Sequence, residues 1–90
     1  MVEIDEIVEV FTRLEDPAVM KRFFEEIFTP AERHDLALRW ELMKRVRQGI
    51  PQRKIAADLG ISLCKITRGA KIVKNSDSVT NQMLSKDPEL

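Results

Sequence analysis

QRKIAADLGISLCKITRGAKIVK, running from Gln52 to Lys74, is the stretch that decides the fold of this 90-residue chain. Its pattern predicts one helix from Arg53 to Asp58, a turn at Leu59-Gly60-Ile61, and a second helix capped by Ser62. Ala56 is small enough for the second helix to cross closely over the first. Gly60 can adopt the positive φ that a tight inter-helix turn needs. Ile55, Leu59, Ile61 and Ile66 are spaced to fill the angle between the helices, and the Ser62 hydroxyl can accept a backbone N–H at the helix start. The bland alternative is an ordinary αα-hairpin, which does not require small, turn, apolar and cap positions to agree along the whole stretch. The pattern is that of a helix-turn-helix. Leu63, Cys64, Lys65, Thr67, Arg68 and Lys71 are left exposed, as suits a helix lying in the major groove of DNA.

Charge supports that reading. The formal net charge is zero, yet it is unevenly distributed. Residues 1–43 carry a net of −6, residues 44–74 a net of +8 with Asp58 as their one acid, and residues 75–90 a net of −2. The basic block coincides with the helix-turn-helix, the footprint expected for contact with phosphates.

Outward from this block, apolar residues fall at helical spacing. Ile4, Ile7, Val8, Phe11 and Leu14 predict an amphipathic helix from Ile4 to Leu14. Asp16 and Pro17 are a cap and a first-turn proline, so a second helix starts there. Its apolar positions, Val19, Met20, Phe23, Phe24, Ile27 and Phe28, exceed what one short exposed helix needs. They read as core or subunit interface. Thr29-Pro30-Ala31-Glu32 is a capping box opening a third helix from Pro30 to Gln48. Leu36, Trp40 and Met43 line one side of that helix, and Leu38, Leu42 and Val46 another. A helix apolar on two sides is buried on two sides, so Trp40 is expected in the core and a second subunit against one face. Gly49 ends the helix and Pro51 opens the next. A short last helix is expected from Val79 to Leu84, with a loose tail from Lys86 to Leu90. The class is all-α, with five or six helices and no strand signal.

Ninety residues make one domain at most. It divides into a dimerisation core over 1–50, the helix-turn-helix over 51–75, and a C-terminal helix and tail over 76–90. No apolar run reaches membrane-spanning length, and the acidic N-terminus resembles no signal or transit peptide. A single cysteine cannot form an internal disulfide, which suits a reducing cytoplasm. No nucleophile–base pair or paired-carboxylate cleft appears, so an enzyme is not expected. His34 is lone and on a charged face, and implies no metal. Cys64 admits a redox role, but a small groove-facing side chain is the preferred reading.

With the helices placed, two stretches resemble the bacterial tryptophan repressor family. One is Phe28-Thr29-Pro30-Ala31-Glu32-Arg33 with Leu36 and Arg39. The other is Gln52-Arg53, then Leu59-Gly60, then Ile66-Thr67-Arg68-Gly69. The likeness covers about residues 27–75, and the Thr-Arg-Gly is its specific part. The resemblance implies an intertwined homodimer that binds a palindromic DNA operator, with L-tryptophan as effector and no other cofactor. It implies that Arg39 and Arg68 sandwich an indole, as guanidinium planes do with aromatic faces. Gly69 matches the position where a side chain would block the ring. Thr29 matches a polar residue at the mouth of the other subunit's pocket, and Phe28 beside it is counted with the expected ligand-binding residues. Two positions depart from the family. Ile72 stands where a hydroxyl helps hold the ligand's ammonium, and Glu26 where a leucine is usual. The linker Gly49-Ile50-Pro51 also looks one residue short.

The expected DNA roles follow. Leu63, Cys64 and Lys65 would face base edges. Gln52, Arg53, Ser62, Thr67, Lys71 and Lys74 would complete the interface, with Arg53, Thr67 and Lys74 on phosphates. Two rivals stand beside this reading. One is a related regulator with a different effector or none, for which Ile72 is the best evidence. The other is a helical module whose basic head binds an acidic protein partner.

Overall fold

A computed structural model describes residues 2–85. Six α-helices, and no strand, occur among the described residues: α1 (Asp5–Arg13), α2 (Pro17–Ile27), α3 (Pro30–Arg47), α4 (Gln52–Leu59), α5 (Leu63–Lys74) and α6 (Val79–Ser85). The expected tail from residue 86 lies outside the described residues. The chain forms two compact units, one running to His34 and one beginning at Asp35, with the division inside α3.

The helix starts obey local chemistry. Asp16 accepts from the Ala18 N–H at 2.9 Å, and Pro17 occupies the first turn. Thr29 and Glu32 form the reciprocal capping box: Thr29 N–H donates to Glu32 Oε1 at 2.8 Å, and Glu32 N–H donates to Thr29 Oγ1 at 3.2 Å. Ser62 has extended backbone, and its hydroxyl accepts from Lys65 N–H. Each such cap stabilises its helix by about 1 kcal/mol. Pro51 departs from expectation. It is the cap residue itself, with ψ 139°, and α4 begins at Gln52. The ring fixes φ near the helical value and leaves ψ free, so a proline can end the linker as easily as open the helix. Gly49 and Gly60 hold φ of 85° and 66°, the left-handed region that side chains with a Cβ avoid.

In the first unit, Phe11 packs edge-on against Phe23 and stacks on Phe24, which stacks in turn on Phe28, all at 5.3 Å between centroids. No residue of α1 or α2 is buried. The second unit holds the core. Leu42 from α3, Ile55 from α4 and Ile66 from α5 are almost wholly buried, with Met43, Val46, Ile50, Ala56, Leu59 and Ile61 packed around them. Leu84 of α6 is fully buried as well. The expectation for Trp40 is corrected: it is 39% exposed, and Leu36 37%.

Candidate functional site

Helix α5 presents three faces, and its sequence assigns each one. Ile66, Gly69, Ala70 and Val73 are buried. Leu63, Cys64, Thr67, Arg68 and Lys71 line a shallow open groove on the outside. They recur at i and i+4, as one helical face must. A third face, Lys65, Arg68, Gly69 and Ile72, borders a cavity whose far side is Arg39, Leu42 and Met43 of α3.

That cavity has a volume of about 320 Å³, at the lower end of the range for small-molecule pockets. Its floor is apolar and its rim is cationic. Four of the expected ligand residues, Arg39, Arg68, Gly69 and Ile72, meet there. Lys65 joins them, although sequence reasoning aimed it at base edges alone. It precedes Gly69 by one helical turn, a spacing that could have shown it. Among the described residues, no ion pair involves Arg39, Lys65 or Arg68. Gly69 has a reason beyond ring clearance: a Cβ there would collide with Leu42 Cδ1 and lie 3.2 Å from Met43 Cγ. The glycine is what lets α5 approach α3 this closely.

Phe28 and Thr29, the other expected ligand residues, belong to the first unit. The Phe28 ring stacks on Phe24, and its carbonyl, with that of Glu25, accepts from Arg33 Nη1. The Thr29 hydroxyl serves the cap of α3.

Of the expected DNA residues, Leu63, Cys64, Lys65, Thr67, Lys71 and Lys74 lie exposed along α5, and Arg53 is exposed on α4. Ser62 is its cap. Gln52 is half-buried, and its Oε1 lies 3.4 Å from the Thr67 hydroxyl, which also donates to the Leu63 carbonyl at 3.0 Å. This bridge joins the start of α4 to the exposed face of α5. A second link ties α4 to α3. Asp58 Oδ2 lies 2.9 Å from Lys54 Nζ and 3.9 Å from Arg45 Nη1, and Arg45 Nε donates to Glu41 Oε2 at 2.8 Å. The basic block is thus divided. Arg45 and Lys54 are satisfied internally, whereas Arg53, Lys65, Arg68, Lys71 and Lys74 have no acidic partner among the described residues.

The family model described as Trp repressor protein matches residues 2–87. A "Trp operon repressor homolog" of Chlamydia trachomatis serovar L2 (strain ATCC VR-902B / DSM 19102 / 434/Bu) is 32% identical over 72 residues, covering 74% of this chain and 77% of that protein. A protein of the same name from Chlamydia caviae (strain ATCC VR-813 / DSM 19441 / 03DC25 / GPIC) is 28% identical over 80 residues, covering 88% of this chain and 79% of its own length. No solved structure matches significantly. On the strength of a match that spans nearly all of its length, the chain belongs to the Trp repressor family of DNA-binding transcription regulators.

Proposed function

We propose that this protein is an operator-binding transcriptional repressor that L-tryptophan activates as corepressor. The observation that carries the reading is the cavity between α3 and α5, where two arginines from different helices flank an apolar slot beside a glycine. A ring held between Arg39 and Arg68 couples the outer face of α5 to the α3 scaffold. A ligand shifts that face only by as much as it prefers the operator-competent state. Operator must therefore tighten ligand binding by the same factor that ligand tightens operator binding. Family membership supports regulation rather than catalysis as the role.

The working form is a homodimer on a palindrome. Its support is the apolar surface that the single chain leaves open: Val8, Val19 and Ile27 are about half-exposed, as Trp40 and Leu36 are exposed on α3. Leu63, Cys64 and Lys65 face base edges; Gln52, Arg53, Thr67, Lys71 and Lys74 position phosphates, and Ser62 fixes the start of the reading helix. Two such heads in a dimer would sit roughly 34 Å apart, one turn of DNA. Titration calorimetry with L-tryptophan, paired with operator binding at fixed salt, tests the proposal. Binding heat and tighter operator binding are expected. If neither appears, the second reading applies, an effector-independent regulator of the same family, which Ile72 favours because it offers an ammonium no hydroxyl.

Lys74→Ala should weaken binding to every duplex alike and reduce the slope of log K against log salt by about 1, as loss of one phosphate contact does. A slope equal to wild type would remove Lys74 from the interface.

A further inference from the structure

Asp58 is the one acid in the basic block of residues 44–74, and it stands where local chemistry disfavours it. It is the second-last residue of α4, at the negative end of the helix dipole, where a carboxylate destabilises its helix. A residue that breaks a local rule is expected to have a compensating role. Its carboxylate meets two cations. Oδ2 lies 2.9 Å from Lys54 Nζ, one turn back in α4, and 3.9 Å from Arg45 Nη1 of α3. The second contact is the one ion pair between different helices among the described residues. Arg45 is well placed to hold it. Its side chain is the least exposed charged group of this network, at 29%. Arg45 Nε donates to Glu41 Oε2 at 2.8 Å, and the guanidinium is a rigid fork, so fixing Nε leaves Nη1 directed at α4. The backbone of Arg45 holds the other end of α4. Its carbonyl accepts from Ile50 N–H at 3.1 Å, closing the linker that passes through Gly49, at φ 85°, to the helix start at Gln52. One residue of α3 thus holds the linker before α4 by a carbonyl and its last turn by a guanidinium. α4 is eight residues long and has one fully buried side chain, Ile55, so contacts at its ends have the longest lever on its angle to α3.

We propose that Arg45 and Asp58 form a clamp that fixes α4, and through it α5, against α3, and that they are positioning residues for operator recognition. The inference rests on the DNA-binding reading above and adds to it two residues that touch no DNA themselves. α5 is joined to α4 by the apolar angle around Ile55 and Ile66 and by the Gln52–Thr67 bridge. A change in the angle of α4 therefore moves the phosphate contacts at Gln52 and Arg53 and the base-facing start of α5 out of register together. Contacts that depend on register are then lost, while the sequence-independent attraction to phosphates remains.

The test compares two duplexes at fixed salt: a palindrome selected by the wild-type protein from randomised DNA, and a scrambled version of it. Asp58→Asn removes an acid from the basic block, which by charge alone would tighten binding to both. The clamp predicts instead that the ratio of the two affinities falls about fivefold, the upper range for a partly exposed ion pair. Reduced stability alone would lower both affinities by one factor and leave the ratio unmoved. Arg45→Gln should lower the ratio similarly. The double variant Arg45→Gln with Asp58→Asn, which keeps the wild-type net charge, should lower it no further. A ratio unchanged by Asp58→Asn, or losses that multiply in the double variant, would overturn the inference. Amide hydrogen exchange gives a reading without DNA. In Asp58→Asn the amides of α4 should exchange about fivefold faster, and those of α6 at the wild-type rate. Unaltered exchange in α4 would overturn the clamp whatever the duplexes show. Failure of the wild-type protein to select any palindrome, with α4 exchange still responding to Asp58→Asn, would remove the DNA-binding reading and with it the role of the clamp in recognition.

Discussion

Replacing Ile66 with alanine is expected to lower the unfolding free energy by about 2–5 kcal/mol, the range for truncating a fully buried branched side chain. Ile66 has no exposed surface, and it belongs to the cluster formed with Leu42 and Ile55. The three residues come from three different helices, so the void left by truncation opens at the junction of all three. Ile55 is as fully enclosed and Leu42 is only 2% exposed, so solvent does not fill the void. Domains of this size are stable by about 5–15 kcal/mol, so the loss is a large share of the total. Urea unfolding followed by circular dichroism should show the midpoint falling with little change in slope. Thr67→Ala, one residue away on the exposed face, should stay within about 0.5 kcal/mol. Equal effects at the two positions would mean that α5 is rotated about its axis from the orientation described.

What was legible in the sequence was mostly local. Asp16, Thr29, Glu32, Ser62 and Gly60 act on backbone groups within a few residues, so their types and spacing suffice to predict the helix starts and the α4–α5 turn. Helix ends shifted by one residue: α3 closes at Arg47 rather than Gln48, and α4 at Leu59 rather than Asp58, just before its left-handed cap Gly60. The apolar angle of Ile55, Leu59, Ile61 and Ile66 was legible too, because a three-residue turn leaves two short helices few ways to pack.

What was not legible depends on how α5 lies against α3. Lys65 reads as groove-facing from the pattern of α5 alone; only the approach of Arg39 and Met43 turns it into a wall of the cavity. Asp58 looks like an exposed acid until α4 brings it near Arg45. Trp40 reads as core because tryptophan is expensive to expose, yet it is 39% exposed among the described residues. Its exposure, with that of Leu36, is the sequence-level argument for a partner subunit restated in structural terms. Of the expected ligand residues, Arg39, Arg68, Gly69 and Ile72 meet around one cavity. Phe28 and Thr29 carry family assignments that concern a second copy of the chain.

Gly69→Leu is expected to abolish the ligand response and to destabilise the protein together. The sequence alone suggests a milder result, a side chain filling the slot while the fold survives unchanged. The geometry argues otherwise. The first atom added, Cβ, would collide with Leu42 Cδ1 and press on Met43 Cγ at 3.2 Å. Leu42 is 2% exposed and packed in the core with Ile55 and Ile66, so the room left to it is on the side of the cavity, where the ring would lie. Glycine costs a helix about 1 kcal/mol relative to alanine, a gain that any substitution here would recover. Overpacking a filled core costs about 1–3 kcal/mol, and leucine, with three carbons beyond Cβ, falls at the top of that range. The net loss should be about 2 kcal/mol. The rest of the side chain must then leave through the cavity, between Arg39 and Arg68, where the ring would lie. Arg68→Ala separates the two effects: it should lose ligand binding while keeping the wild-type unfolding temperature, because Arg68 is exposed and unpaired among the described residues. Thermal unfolding and calorimetry on both variants give the comparison. A Gly69→Leu protein with wild-type stability would show that α5 can move away from α3 at no cost. One that still bound indole ligands at wild-type strength would put the pocket elsewhere.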